Sequence, residues 1–390
     1  MANTQAITDL LKRATDAGDV PGVVVAAATA EGPIFAGGSG VRDTTSGAPM
    51  TANTVVWIAS MTKAVTGACA MQLVEQGRLS LDGPIAAVLP ELGKVQVLEG
   101  FTADGSPRLR PARRPITLRH LLTHTSGFVY DIWNPEMGRY LETTSTPGII
   151  SCANAALSIP LVFDPGEKWD YGINIDWVGK AVEQVSGQML GDFFAEHLFG
   201  PIGMKDTAFR LTPERRARLA SMHARGPDGT LAPIEFEVPQ EPEFQMGGGG
   251  LYGTASDYLA FERVFLNEGR ANGRSVLKSE TVRLMAANAI GDINVQPLKT
   301  VIPHLSNHAE FFPGMAKKWG LGFMISTEPV PGGRSAGSLA WAGLGNTYFW
   351  IDLDRGIAGV ILMQLLPFAD PKALALLDQF ERGVYASLAQ

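Results

Sequence analysis

The 390 residues are 45% hydrophobic and 18% charged, with 44 glycines and 25 prolines, which supplies a sizeable core and excludes the high-charge signature of a disordered chain. Thirty-two basic against 39 acidic residues leave a net charge of −7, and the densest basic tract is only Arg110-Pro-Ala-Arg-Arg114. That balance lacks the electrostatic footprint of a nucleic-acid-binding protein and points to small-molecule partners.

The first dozen residues are polar and helix-like, without the apolar stretch of a secretory signal, and no apolar run approaches the ~18 residues of a membrane span. The expectation is a soluble, cytoplasmic protein. Cys69 and Cys152 are too few for a disulfide framework, and their small or apolar neighbours predict buried, reduced thiols.

In chain order, Ile7, Leu10, Leu11 and Ala14 fall at helical spacing within residues 4–17, and Gly18 ends the run. Residues 22–30 and 33–36 read as two strands joined at Glu31-Gly32. Val55–Ile58 is a short apolar segment leading into Ala59-Ser60, and residues 61–76 carry Val65, Cys69 and Leu73 on one helical stripe with Gly77 as a stop. From about 84 to 245 the periodic pieces are helical (118–122, 149–157, 175–185, 190–198), separated by Pro/Gly loops. Residues 298–318 read as a long loop. The C-terminal part changes character: 319–326, 338–344, 347–353 and 357–364 are strand-like, with Asp354-Arg355-Gly356 marking a hairpin, and an apolar helical stripe runs from 371 to 388. Strands at both ends and helices between them predict an α+β fold with one antiparallel sheet made from both termini. Residues 1–84 and 246–390 would form an α/β lobe and 85–245 a mainly helical lobe.

Ser60-Met-Thr-Lys63 is the first chemical candidate. At the start of a helix the serine and lysine share a face, a neutral amine can take the hydroxyl proton, and the helix N-terminus favours an oxyanion nearby. A second Ser-x-x-Lys, Ser275–Lys278, lies between Gly273 and a helix start and reads as a cap with a solvated lysine. Ser335, in Gly333-Arg-Ser-Ala-Gly337, fits Gly-x-Ser-x-Gly, but strand-like residues follow it where that elbow needs a helix, so it reads as a turn. The pairs His120/His124 and His304/His308 have i, i+4 spacing but Leu121 and Leu305 where a zinc peptidase needs glutamate. Asp170 and Glu167 read as surface charges. No metal or organic cofactor is expected.

Ser60-Met-Thr-Lys63, Leu121-Leu-Thr-His-Thr-Ser-Gly127, Asp164-Pro-Gly-Glu-Lys-Trp-Asp-Tyr171 and Gly248-Gly-Gly-Leu-Tyr-Gly-Thr-Ala-Ser-Asp-Tyr-Leu-Ala-Phe261 together resemble the serine β-lactamase and penicillin-binding-protein superfamily. More closely, the chain resembles the class C β-lactamase-like esterases called family VIII carboxylesterases, over about residues 5 to 388. The resemblance implies Ser60 as the acylated nucleophile, with Lys63 and Tyr171 as the proton-handling pair and the choice of base between them open. It implies an oxyanion hole from the backbone N–H groups of Ser60 and Leu344. Ile173 stands where the family's Tyr-x-Asn has asparagine, and Asn174, one place late, is carried over as a substrate contact. Trp341-Ala342-Gly343 matches the Trp-x-Gly of the esterases where β-lactamases have Lys-Thr-Gly. An indole packs apolar groups and cannot pair with a carboxylate as an ammonium does, which turns the expectation from β-lactams toward small to medium uncharged carboxylic esters. A β-lactam or small-amide hydrolase and an acyltransferase are the alternatives on the same scaffold. A non-catalytic binding protein is the alternative from another class. Oligomeric state is not readable from these residues.

Overall fold

The computed structural model describes residues 4–388. Helix α1 (Gln5–Asp16) buries Ile7, Leu10, Leu11 and Ala14, the stripe read from the sequence. Strand β1 (Gly22–Thr29) is an unbroken run of buried Val and Ala, and β2 (Pro33–Asp43) returns antiparallel to it. The apolar pattern accounts for β2 only as far as Ala36. Beyond it glycines 37, 38 and 40 thin the alternation, and pairing with β1 and then β3 (Ala48–Pro49) carries the strand on. Helix α2 (Thr62–Glu75) is buried along nearly its whole length and packs on α3 (Asn174–Ser186). Helix α4 (Ala255–Leu266) precedes the remaining strands, β4 (Lys317–Trp319), β5 (Met324–Ser326), β6 (Leu339–Gly343), β7 (Thr347–Asp352) and β8 (Ile357–Leu362), and helix α5 (Pro371–Leu388) follows them.

All eight strands form one sheet in the order β4-β5-β6-β7-β8-β1-β2-β3, with antiparallel neighbours throughout. The seam between the two ends of the chain is β1 against β8, in register from Val24↔Leu362 to Thr29↔Ile357. The fold is therefore β-lactamase-like, α+β, with a central antiparallel sheet drawn from both ends of the sequence. Adjacent residues of a strand face opposite sides. On β7, Trp350 meets Phe380 of α5 and Phe349 meets Tyr258 of α4, so these two helices cover opposite faces of the sheet. Among the described residues no helix is long and apolar enough to cross a membrane. Cys69 and Cys152 are buried and free.

Three readings of the sequence are corrected. The single strand over 319–326 is two short strands, β4 and β5, folded on each other around Gly320-Leu321-Gly322. Residues 149–157 form two 3₁₀ turns, Ile149–Ser151 and Asn154–Leu157, parted by Cys152 at φ 53°. The middle of the chain also holds two hairpins, Gln96–Phe101 with Pro107–Pro111 and Met222–Arg225 with Leu231–Ile234, whose partly exposed strands lack a continuous apolar alternation.

The loop between β5 and β6 is pinned by a buried ion pair. Glu381 of α5 accepts from the Arg334 guanidinium at 2.9 and 2.5 Å and from the Arg334 backbone N–H at 2.9 Å. Removing one member of such a pair leaves the other charge buried without compensation. Glu381→Ala is expected to cost about 3–5 kcal/mol in urea unfolding, with Glu381→Gln losing less. A loss below about 1 kcal/mol for the alanine variant would show that water replaces the carboxylate.

Candidate active site

The chain approaches Ser60 under tight backbone control. Val56–Trp57 pairs with Tyr252–Gly253, the Gln364 side chain clamps the Trp57 peptide from both sides at 3.0 Å, and Ile58 N–H donates to Leu251 C=O at 3.0 Å. These anchors hold Ala59 in the left-handed region at φ 46°, a conformation that costs a non-glycine residue ~1 kcal/mol or more and persists only where the surroundings impose it. Ser60 follows in a 3₁₀ turn, Ala59–Met61, that runs directly into α2. The sheet meets this turn at Gly343. A Cβ there would lie 2.4 Å from Ile58 C=O and 3.1 Å from Ala59 Cβ, so only glycine lets β6 come this close.

Lys63 sits in the first turn of α2, three residues past Ser60, and is fully buried. Its Nζ is 3.0 Å from Ser60 Oγ, 3.0 Å from the Tyr130 hydroxyl and 2.5 Å from Gly248 C=O. The Tyr171 ring lies 4.8 Å from the same nitrogen, and the Tyr171 hydroxyl accepts from Trp341 Nε1 at 2.9 Å. Burial pushes the Lys63 ammonium down to about 7, against the opposing pull of the Asp176 carboxylate. Burial pushes the Tyr171 phenol the other way, up from its ordinary value, even though the nearby Ser60 and Trp341 groups favour its anion. Tyr130 is likewise raised, by burial first and by Asp176 second. Near neutral pH the cluster is an amine close to its midpoint among two protonated phenols and a serine hydroxyl. Such an arrangement can take the serine proton and return it to a departing group.

Ser60, Lys63, Tyr171, Trp341, Gly343 and Leu344, named from the sequence, meet at one place. Asn174 does not join them. It is buried behind Tyr171, its amide held by His124 Nδ1 and Phe128 C=O at 3.0 Å and by the Ser126 hydroxyl. Ser335 lies on the β5–β6 loop, its N–H on Asp352 at 2.9 Å, and Ser275 is exposed on a two-residue strand. His120 caps a short helix and His308 accepts from Thr300 N–H, while His124 is buried against Tyr171 and Trp319. No group of three or more His, Cys, Asp or Glu stands ready to hold a metal ion among the described residues. Glu167 is exposed, but Asp170 is partly buried and its carboxyl raised to about 6 by desolvation, so it is not the free surface charge the sequence suggested. Tyr130 and Asp176 were not anticipated. Tyr130 stands three residues beyond the recognised Leu121–Gly127 segment, and Asp176 is an acid set in the apolar run Ile175–Val178, a signal that could have been followed.

Ser60 opens on a cavity of about 270 Å³ whose walls include Trp57, Ile132, Trp133, Phe236, Met246 and Phe368. Asp131 is the single charged residue among those lining it, and no lysine or arginine faces it. Trp57 and Trp133 spend their indole N–H groups on Gly249 C=O and Ser306 Oγ, leaving their rings as apolar surface.

This fold and this cluster define a β-lactamase-like protein of the serine hydrolase and acyltransferase kind. The chain belongs to the Beta-lactamase family, which it matches over residues 7–381. It is 34% identical to monacolin J acid methylbutanoyltransferase of Aspergillus terreus, covering 88% of this chain and 84% of that one, and 33% identical to lovastatin esterase of Penicillium rubens, covering 95% and 96%. A solved mutant of simvastatin synthase from Aspergillus terreus superposes with a TM-score of 0.87 at 30% identity, covering 99% of this chain and 98% of that one.

The Trp341–Tyr171 hydrogen bond provides a test of the cluster. Trp341→Phe keeps most of the apolar surface but leaves the buried phenol short of a donor, a loss of about 1–3 kcal/mol. The rate at which a serine-directed phosphonate labels Ser60 is expected to fall roughly tenfold, with thermal unfolding little changed. Unchanged labelling would show that the indole N–H does not tune the site.

Proposed function

We propose that the protein is a serine carboxylesterase, of the kind represented by the family VIII esterases, that forms an acyl-enzyme on Ser60 from small to medium uncharged carboxylic esters. The observation that carries this reading is the 3.0 Å contact between Ser60 Oγ and a buried, depressed Lys63 amine at the mouth of an apolar cavity. Ser60 Oγ adds to the ester carbonyl carbon as its proton passes to Lys63 Nζ. The tetrahedral intermediate places its oxyanion toward the backbone N–H groups of Ser60 and Leu344. It collapses with loss of the alcohol, which takes up a proton through Lys63 and Tyr171. Water then adds to the acyl-enzyme by the same route and the acid leaves. Burial selects Lys63 as the base, because desolvation favours its neutral form, whereas it holds Tyr171 protonated. The missing cation on the cavity wall favours uncharged esters over β-lactams, whose carboxylate would go unpaired.

Acyl transfer to an alcohol is the second reading, favoured by relatives of nearly equal identity, one named as a methylbutanoyltransferase and one as an esterase. The two differ only in whether water or an alcohol reaches the acyl-enzyme.

Purified protein is expected to hydrolyse p-nitrophenyl butyrate. Ser60→Ala should abolish turnover and Ser335→Ala should leave it intact; the reverse pattern would sink the assignment. Added short alcohols should divert part of the product from butyrate to the alkyl butyrate of that alcohol if transfer competes, and product ratios by gas chromatography measure the split. The logarithm of kcat/KM should rise with pH and level off above a midpoint near 7, since Lys63 accepts a proton only once its own is lost. Activity that increases as pH falls through 7 would contradict a neutral Lys63 base.

A further inference from the structure

Asp176 is a fully buried acid on α3 that the chemistry above does not use. Its Oδ1 accepts from Gly248 N–H at 2.8 Å, and the Gly248 C=O accepts from Lys63 Nζ at 2.5 Å. The carbonyl of that same 247–248 peptide is also tied down: Thr66, one helical turn past Lys63, donates to Gly247 C=O at 2.7 Å. The contact is possible only because residue 248 is glycine, since a Cβ there would lie 2.6 Å from Oδ2 and 2.9 Å from Oδ1. Oδ2 has no hydrogen-bond partner among the described residues. Burial pushes the Asp176 carboxyl up to about 6, with the Lys63 charge pulling it back toward the anion, so a charged Asp176 near neutral pH calls for that cation. The groups that face it are Lys63 from α2, the hydroxyls of Tyr130 and Tyr171, and the Cys152 thiol. Lys63 alone among them can be a cation.

We propose that Asp176 is a positioning residue that aims the Lys63 amine at Ser60 by pinning the backbone of Gly248, and whose charge supports the ammonium form of that amine. The assignment rests on Ser60 and Lys63 acting as described above. With the 247–248 peptide held at both ends by Asp176 and Thr66, the Gly248 carbonyl that follows it is fixed in place, so the 2.5 Å bond from Lys63 is fixed in direction while the lone pair remains free to turn to Ser60. Without Asp176 the amine would be buried among neutral groups only and would lose its proton at lower pH. Asp176 never touches substrate in this scheme; it acts through Lys63.

The test compares pH profiles of kcat/KM for p-nitrophenyl butyrate, together with the pH dependence of Ser60 phosphonylation, in the wild type, Asp176→Asn and Asp176→Ala. Asparagine keeps an acceptor for Gly248 N–H and discards the charge, so the acidic limb should move to lower pH by ~1 unit or more. Alanine also releases the peptide and should lower kcat by ~10–100-fold with KM nearly constant, the mark of a misplaced base. A merely structural role would lower the unfolding temperature without moving the limb, and that result overturns the proposal. Should Asp176→Asn fail to fold, Gly248→Ala breaks the same contact from the other side with the charge retained, and should lower kcat as Asp176→Ala does with KM nearly constant; an unchanged kcat there would overturn the proposal. Unfolding of both variants would assign Asp176 to stability and overturn the proposal equally. If wild-type Ser60 neither reacts nor turns over ester, the proposed function itself has failed. If it does both and the limb stays put in Asp176→Asn, only the role of Asp176 is lost.

Discussion

The site is organised by one costly placement, the amine of Lys63 in a fully dry environment. A buried ammonium with no direct carboxylate partner is expensive, and the groups in contact with Nζ are a hydroxyl, a phenol and a peptide carbonyl. Much of the surrounding architecture follows from keeping that amine dry and aligned. The left-handed Ala59 turns Ser60 back toward Lys63, Gly343 lets the sheet seal the turn from one side, and Tyr171, Trp341, Trp319 and His124 pack as a continuous aromatic layer beside it. Residues 341 and 343 share a face of β6, and Trp341 pairs across to Phe349 on β7, so the layer stands on the same side of the sheet as α4. Loosening any of these contacts would admit water and return the amine to its ordinary basicity.

The sequence reveals most plainly what depends on short spacing. Ser60 and Lys63 are three apart, the buried runs of β1 and β7–β8 are uninterrupted, and Asp354-Arg355-Gly356 forces a hairpin, so all of these could be read directly. The meeting of both chain ends in one sheet was also legible, because the middle of the sequence offers no comparable strand runs. What could not be read depends on partners far along the chain. β2 is extended by its neighbours rather than by its own glycine-rich residues, and the two exposed hairpins carry too little apolar alternation to announce themselves. Asn174 follows Tyr171 closely enough to suggest the site, yet the first turn of α3 rotates it toward His124 and Ser126. The same helix brings Asp176 under Gly248, a juxtaposition of residues from distant segments that no local pattern encodes.

Hydrolysis and acyl transfer share every step up to the acyl-enzyme, so the polar cluster does not choose between them. The choice belongs to the cavity. Its aromatic and aliphatic walls can hold the apolar body of an alcohol as well as that of an ester, while either hydroxyl, of water or of alcohol, needs only the same amine to take its proton. Ile132, Phe236 and Met246 belong to that wall and not to the polar cluster of Ser60 and Lys63.

The seam between β1 and β8 has a consequence for when the Ser60–Lys63 cluster is assembled. During synthesis the serine and lysine emerge early, the two tyrosines in the middle and Trp341 near the end, while β1 waits for the last strand before it has its second neighbour. An unfinished chain therefore carries a solvated lysine, charged and unable to accept a proton, beside an ordinary serine. The dry amine beside Ser60 exists only once β6 to β8 have joined β1 in the sheet.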